Sequence, residues 1–245
     1  MTNHHPRRRL RDLEQYYTLL RELELRLCGP RRLADCHGRM PWPDRGVYFF
    51  FEPGEERRES GAGPRVVRVG THALTATSRT SLWNRLSNHR GPANGGGNHR
   101  GSIFRLLVGT ALKTRVSADA PASWGIGSDQ GAAARKLGVE RTVVARGEAA
   151  LEGEVSRHIG AMPLVWLRID DLPGPDPLRG YIERNSIALL SNFRGEPLDS
   201  PSTAWLGRHC LRERVRQSGL WNQNHTEDDY DPAFLNVLQD LVDTA

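Results

Sequence analysis

Arg85 and His89 are the two residues whose types and spacing most directly suggest chemistry. They lie four positions apart in the segment of residues 81–90, and residues with that spacing share one face of a helix. Arginine can hold a phosphoryl group through its planar fork of N–H donors, and histidine can carry a proton near neutral pH. Such a face suits phosphodiester chemistry, although the pair taken alone is more often a solvated helix surface.

Two short apolar runs before this helix predict a pair of strands at residues 46–51 and 65–70. Pro53-Gly54 begins a polar connection of the kind that joins antiparallel strands. Ser78 or Thr80 is then a candidate N-cap for the helix. The strand pair should therefore place this face of the helix at the edge of a sheet.

The rest of the chain adds one more strand and several helices. Apolar periodicity predicts helices near residues 11–27, 103–111, 148–159, 178–192, 211–217 and 232–242, and a buried strand at 162–170. Residues 117–135 look like an exposed insertion. The order strand, strand, helix, insertion, strand, helix predicts an α+β fold with a small three-stranded antiparallel or mixed sheet flanked by helices.

Composition limits the class of protein. The 245 residues, 38% hydrophobic with six tryptophans, are enough for a real core. Lys and Arg number 34 against 29 Asp and Glu, giving a net charge of +5. Nearly all the cations are arginine, which suits phosphate, so a polyanionic partner is plausible without being required.

The three cysteines favour a reducing compartment. Cys28, Cys36 and Cys210 are odd in number and widely spaced, which argues against a disulfide framework. A zinc site at Cys28, Cys36 and His37 is excluded because no second Cys or His pair follows at ligand spacing. No apolar run reaches the roughly 18 residues of a membrane helix, and no secretory signal is visible. The expected location is the cytoplasm, with no membrane partner.

A glycine cluster at residues 94–101 follows the helix. It lacks the Gly-Lys-Ser/Thr ending of a nucleotide-binding P-loop, so a flexible loop is one reading. The other reading is contact with a nucleic-acid backbone through Asn98, His99, Arg100 and Arg105, together with Arg85. The basic N-terminal arm at residues 7–11 has the same two readings, with a solvated arm favoured.

At this point the motifs resemble the GIY-YIG nuclease superfamily. Gly46-Val47-Tyr48 resembles the first family motif, and Arg68-Val69-Gly70 lies where the second motif falls. Arg85 with His89 matches the arginine and histidine of the restriction and homing branches, and Glu183 matches the metal-binding glutamate. The motifs are short, and their correct order on the predicted elements is what makes the match specific.

The resemblance covers residues 44–193, with an insertion at about 92–160. Residues 1–43 would then be an N-terminal helical extension and residues 194–245 a C-terminal helical extension. The sequence departs from the family at two places. Arg68 stands where the second tyrosine is expected, unless His72 takes over its role; Asn192 is the nearest counterpart of the family asparagine, with Asn222 and Asn224 as alternatives.

The resemblance implies a metal-dependent endonuclease acting on DNA, in restriction, defence or repair. Glu183 would hold Mg²⁺, with Mn²⁺ as a substitute, and Arg85 would hold the phosphate. Tyr48 would orient or deprotonate the attacking water, and His89 could accept its proton. Taken singly, Tyr48 would more often be a core aromatic and Glu183 a helix N-terminal charge.

Two other functions stay open from the sequence. Arg68 in place of a tyrosine is also consistent with a nucleic-acid-binding module of the same fold that has weak or lost catalysis. An RNA nuclease is a further alternative. If the protein has one site per chain and cuts both strands of DNA, a homodimer is expected. This expectation follows from the cleavage reaction alone and not from any residue of the sequence.

Overall fold

The computed structural model describes residues 5–75, 77–116, 121–174 and 176–245. Within those residues it has four strands, β1 (Arg31–Arg32), β2 (Gly46–Glu56), β3 (Pro64–Gly70) and β4 (Pro163–Arg168). The helices are α1 (His5–Arg26), α2 (Leu82–Arg90), α3 (Ile103–Val116), α4 (Gln130–Leu137), α5 (Arg141–Gly160), α6 (Leu178–Leu190), α7 (Glu213–Ser218) and α8 (Phe234–Asp243). None of the described helices is both long enough and apolar enough to cross a membrane.

The strands form one antiparallel sheet in the order β1-β4-β2-β3. Tyr48 lies in the central strand, opposite Gly70 on one side and Trp166 on the other. The predicted α+β fold is confirmed, and the three predicted strands are all present. The difference is the two-residue β1, which is too short to show any periodicity and pairs with β4 at Arg31 and Leu164.

Strand β2 is apolar on both faces because helices cover the sheet on both sides. Tyr48 and Phe50 pack into a cluster with α2, α3 and α5. Val47 and Phe49 point the other way, into a cluster with α1, α6 and α8. The first and last helices of the chain therefore contribute to the core on the second face of the sheet.

Several predicted boundaries need correction. The N-cap of α2 is Ser81, whose Oγ accepts the Asn84 amide at 3.2 Å, and neither Ser78 nor Thr80. Helix α1 begins at His5 instead of residue 11, and α5 begins at Arg141 instead of residue 148. The start of α1 is mostly charged, so the apolar pattern begins later than the helix does. The start of α5 contains Val143 and Val144, but Val143 is exposed, so these residues show no continuous apolar face.

The insertion predicted as exposed is partly built into the core. Residues 117–120 lie outside the described residues, but 121–135 contain most of α4, and the Trp124 side chain is 8% exposed. The Trp124 ring stacks on His99 with centroids 3.8 Å apart. A Cβ built on Gly109, in the middle of α3, would lie 2.0 Å from the same ring. The glycine thus makes room for the tryptophan that anchors the insertion.

We predict opposite effects for two Gly→Ala substitutions in helices. Gly109→Ala should destabilise the protein by about 1–3 kcal/mol, because the new methyl group overpacks against Trp124. Gly147→Ala in α5 meets nothing within 4 Å and should stabilise by about 0.5–1 kcal/mol through helix propensity. Urea unfolding of both variants measures the difference, and equal stabilities would contradict the packing of Trp124 on α3.

Candidate active site

Tyr48 and His89 form a hydrogen bond inside the protein. Both side chains are fully buried, and the Tyr48 hydroxyl lies 2.8 Å from His89 Nε2. The other ring nitrogen, Nδ1, lies 2.7 Å from Ser102 Oγ. Ser102 precedes α3 and also accepts the Arg105 amide, at 3.3 Å. One chain of hydrogen bonds thus joins the central strand to α2 and α3.

The absence of a side chain at Gly70 leaves the space that the Tyr48 hydroxyl occupies. The two residues are cross-strand partners in β2 and β3. A Cβ built on Gly70 would lie 2.3 Å from the Tyr48 hydroxyl oxygen, far inside a van der Waals contact. The glycine that ends Arg68-Val69-Gly70 is therefore required sterically, because any side chain there would displace the phenol.

Burial determines the protonation state of His89. Desolvation holds the pKa of His89 well below its ordinary value, and the positive charges of Arg68, Arg85 and Arg105 act in the same direction. The ring is therefore neutral near pH 7. With its proton on Nδ1 it donates to Ser102 and accepts the Tyr48 hydroxyl at Nε2, which places it to take a proton from the phenol.

The charges of Arg85 and Glu183 are close enough to influence each other. Arg85 is half-buried on α2 and has no ion-pair partner within the described residues. Glu183, in the first turns of α6, accepts the Thr71 amide at Oε1, at 3.1 Å. Burial raises the pKa of the Glu183 carboxyl, and the charges of Arg68, His225 and Arg85 oppose that rise. The charges of Arg85 and Glu183 thus act on each other, and both act on Arg68.

Arg68 is a buried cation beside Tyr48. It is 5% exposed, its Nη1 donates to the Trp221 carbonyl, and its guanidinium lies 4.8 Å from the Phe104 ring centroid. Its Nε has no hydrogen-bond partner, and no carboxylate forms an ion pair with it among the described residues. Burial lowers the pKa of Arg68, while Tyr48 and Glu183 act to raise it. A buried cation without an ion pair is costly, and the interactions with Tyr48 and Glu183 offset part of that cost.

His72 lies at the same end of the sheet with one nitrogen unpartnered. Its Nδ1 lies 2.8 Å from the Thr80 carbonyl, to which it donates, and its buried Nε2 has no partner among the described residues. Desolvation lowers the pKa of His72 to about 4, with smaller contributions from the charges of Arg179, Arg85 and Arg45. The ring is therefore a neutral acceptor at pH 7.

Asn192 does not join this cluster. It follows α6, and its Oδ1 accepts from Arg9 Nη2 at 3.0 Å and from the Leu198 amide at 2.9 Å, so it ties α1 to the loop after α6. Asn222 lies closer to the site. It donates to the Val69 carbonyl at 2.8 Å and accepts the Val69 amide at 3.2 Å, next to Arg68. Asn224 is exposed.

The side chains expected to contact nucleic acid near the glycine cluster are mostly held inside the protein. Arg100 forms an ion pair with Glu148, and Arg105 and His99 both bind Glu152. These three side chains are at most 3% exposed. Asn98 is exposed, and its side chain accepts the Arg100 amide at 3.1 Å. The structure therefore gives this group a role in holding the insertion together. Arg105 also reaches the Tyr48 cluster, where its Nη1 donates to the His89 carbonyl at 2.9 Å.

We predict that His72 makes the fold sensitive to acid. The folded state disfavours its imidazolium form, so its contribution is complete above pH 6.5 and is lost as pH falls toward about 4. The loss should reach up to about 3 kcal/mol. His72→Gln should flatten the dependence of unfolding free energy on pH over this window, while His209→Gln, at an exposed position, should leave it unchanged. Identical pH profiles for both variants would contradict the burial of His72.

A comparison with protein families gives the same answer as the motifs. A model described as a GIY-YIG domain matches residues 7–245, more than the residues 44–193 that carry the motifs. No curated protein and no solved structure matches the chain. The match includes α1 and α8, which complete the core on one face of the sheet. The chain therefore belongs to the GIY-YIG domain family, a family of nucleases that act on nucleic acid.

Proposed function

We propose that the protein is a metal-dependent endonuclease that hydrolyses phosphodiester bonds in DNA. The observation that carries the proposal is the buried hydrogen bond between Tyr48 and His89, at 2.8 Å. A core tyrosine needs only some partner for its hydroxyl. Here the partner is a neutral imidazole affected by the charges of Arg68, Arg85 and Arg105, an arrangement suited to moving a proton near a phosphate.

GIY-YIG nucleases generally depend on a divalent metal, and Glu183 is the residue that fits one. No group of three or more His, Cys, Asp or Glu side chains that could hold a metal is present in the described residues. A single carboxylate suits Mg²⁺, which keeps several waters and binds substrate phosphate, and Mn²⁺ is the natural substitute. Glu183 Oε1 accepts the Thr71 amide, which orients the carboxylate. When bound, the ion would neutralise charge that develops on phosphoryl oxygens.

The protein residues divide the remaining work. Tyr48 orients the attacking water or takes its proton, and His89 accepts the proton at Nε2. Arg85 holds the non-bridging oxygens of the phosphate, a task for which its fixed charge and fork of donors are suited. Arg68 adds a second positive charge beside Tyr48, in place of the family's second phenol, and Nε2 of His72 can accept a hydrogen bond from water at the same edge.

A second candidate function follows from Arg68. If hydrolysis requires the second phenol, the protein would bind nucleic acid without efficient turnover. Salt-sensitive DNA binding without metal-dependent cleavage would favour this function, because phosphate contacts weaken steeply as ionic strength rises.

Glu183→Gln tests the proposed nuclease directly. The amide oxygen can still accept the Thr71 amide, but the charge that binds a cation is lost. We expect wild type to nick or cut DNA with Mg²⁺ or Mn²⁺ and the variant to lose cutting while it unfolds at a similar temperature. Glu154→Gln, at an exposed position on α5, is the matched control and should cut normally. Wild-type protein that leaves single-stranded, double-stranded and branched DNA intact with either metal would refute the proposal. The same assay with an RNA substrate distinguishes a DNA nuclease from an RNA nuclease.

Tyr48→Phe tests the proton carrier. We expect the rate of cleavage to fall by about 10²- to 10⁴-fold, the usual contribution of a positioned acid or base. Stability should fall by about 1–3 kcal/mol, because His89 Nε2 loses its partner in the interior. Tyr230→Phe removes a hydroxyl that donates to Asp12 at 2.7 Å and should not slow cleavage. A Tyr48→Phe enzyme with wild-type rate would exclude the phenol from the reaction.

A further inference from the structure

A cleft of about 700 Å³ lies at the end of α2, between the glycine cluster and α5. Its lining includes Arg90, the backbone of residues 95–97, Ser156 and Arg157. Arg90 is on the same helix as Arg85, five residues further on, or about 7.5 Å along the helix axis. The two side chains also lie about 140° apart around the helix, so the cleft is at the C-terminal end of the helix that carries the proposed phosphate ligand and not on the face of Arg85.

The cleft has a net positive charge once the ion pairs of its two glutamates are counted. Glu148 and Glu152 also line it, but both carboxylates are engaged by arginine, Glu148 by Arg100 and Glu152 by Arg105. Arg157 is exposed and has no ion-pair partner among the described residues. Arg90 donates through Nε and Nη1 to the carbonyls of Gly91 and Cys36, which fixes its guanidinium at the cleft wall while it keeps its charge.

The glycine cluster is held in a fixed shape by Arg105. This side chain is fully buried and donates to the Gly96 carbonyl at 3.1 Å, and a Cβ built on Gly97 would lie 2.2 Å from its guanidinium. Residues Gly95, Gly96 and Gly97 all have positive φ. The amides of Gly96 and Gly97 have no acceptor within the described part of the chain. Successive backbone N–H groups without a partner are donors to which an anion can bind.

We propose that this cleft is a second phosphate-binding site, which holds the backbone of the DNA strand away from the scissile bond. The inference rests on the proposed function and adds to it the path that the DNA strand follows across the protein. The ligands are the backbone amides of Gly96 and Gly97 and the guanidinium groups of Arg90 and Arg157. Such contacts position the strand without reading its sequence.

The test is DNA binding without divalent metal, measured by fluorescence anisotropy with a short duplex over a range of salt concentrations. Ala149→Glu places a carboxylate in the cleft, while Ala150→Glu adds the same charge at the next exposed residue of α5, outside the lining. Arg157→Gln removes a cation from the cleft, and Arg21→Gln removes an exposed one from α1. We expect the two cleft variants to bind about tenfold more weakly than their controls. Arg157→Gln should also lower the salt slope by about 0.9.

Each outcome supports or overturns the proposal. If the cleft variants bind DNA like their controls while wild type still cuts DNA, the cleft is not a strand-binding site and the proposed nuclease stands. If the cleft variants weaken binding but no protein cuts, the proposed activity fails and the cleft assignment stands. The alternative ligand with the same phosphate chemistry is a free nucleotide, and a mononucleotide is the probe for it. If its binding is weakened by Ala149→Glu while duplex binding is unchanged, the cleft holds a free nucleotide and the strand contact is overturned.

Discussion

The buried guanidinium of Arg105 makes the interactions on which the two proposed functional regions depend. It is fully buried and its donors bind Glu152, the carbonyls of His89 and Gly96, and Ser156. A charge at this depth is tolerated only because it is paired and its N–H groups have partners. Since those partners lie on α2, α5 and the glycine cluster, one side chain fixes the end of the helix that carries His89 and also the wall of the cleft. The same ion pair thus supports both the proposed proton carrier and the proposed strand contact.

The sequence predicted the parts of the molecule that leave a local pattern. Strands β2 and β3 are apolar runs, and α2 follows them with Arg85 and His89 one turn apart, so order and spacing were enough to identify the motif. The two-residue β1 could not be predicted, because its existence depends on pairing with β4 about 130 positions later. Ser81 was missed as the N-cap because Ser78 and Thr80 are chemically equivalent candidates in the sequence.

Contacts between distant segments account for most of what the sequence could not show. Trp221 and Asn222 bind Arg68 and Val69 across 153 positions, so the segment after α7 forms one wall around the second motif. The cations near the glycine cluster have the right chemistry for phosphate, yet Arg100 and Arg105 are neutralised by glutamates 48 and 47 residues away. Residue type identifies a charge, but only the fold shows whether that charge is already paired.

The complete burial of His89 has a consequence for how a catalytic cycle would end. Both ring nitrogens are occupied, one by the Tyr48 hydroxyl and the other by Ser102, and the side chain has no contact with solvent. A proton that arrives at Nε2 can return to the phenol, or the ring can release its other proton from Nδ1 to the Ser102 hydroxyl. Because Tyr48, His89 and Ser102 are all buried, release of that proton to water would require a movement of the protein that exposes one of these three groups.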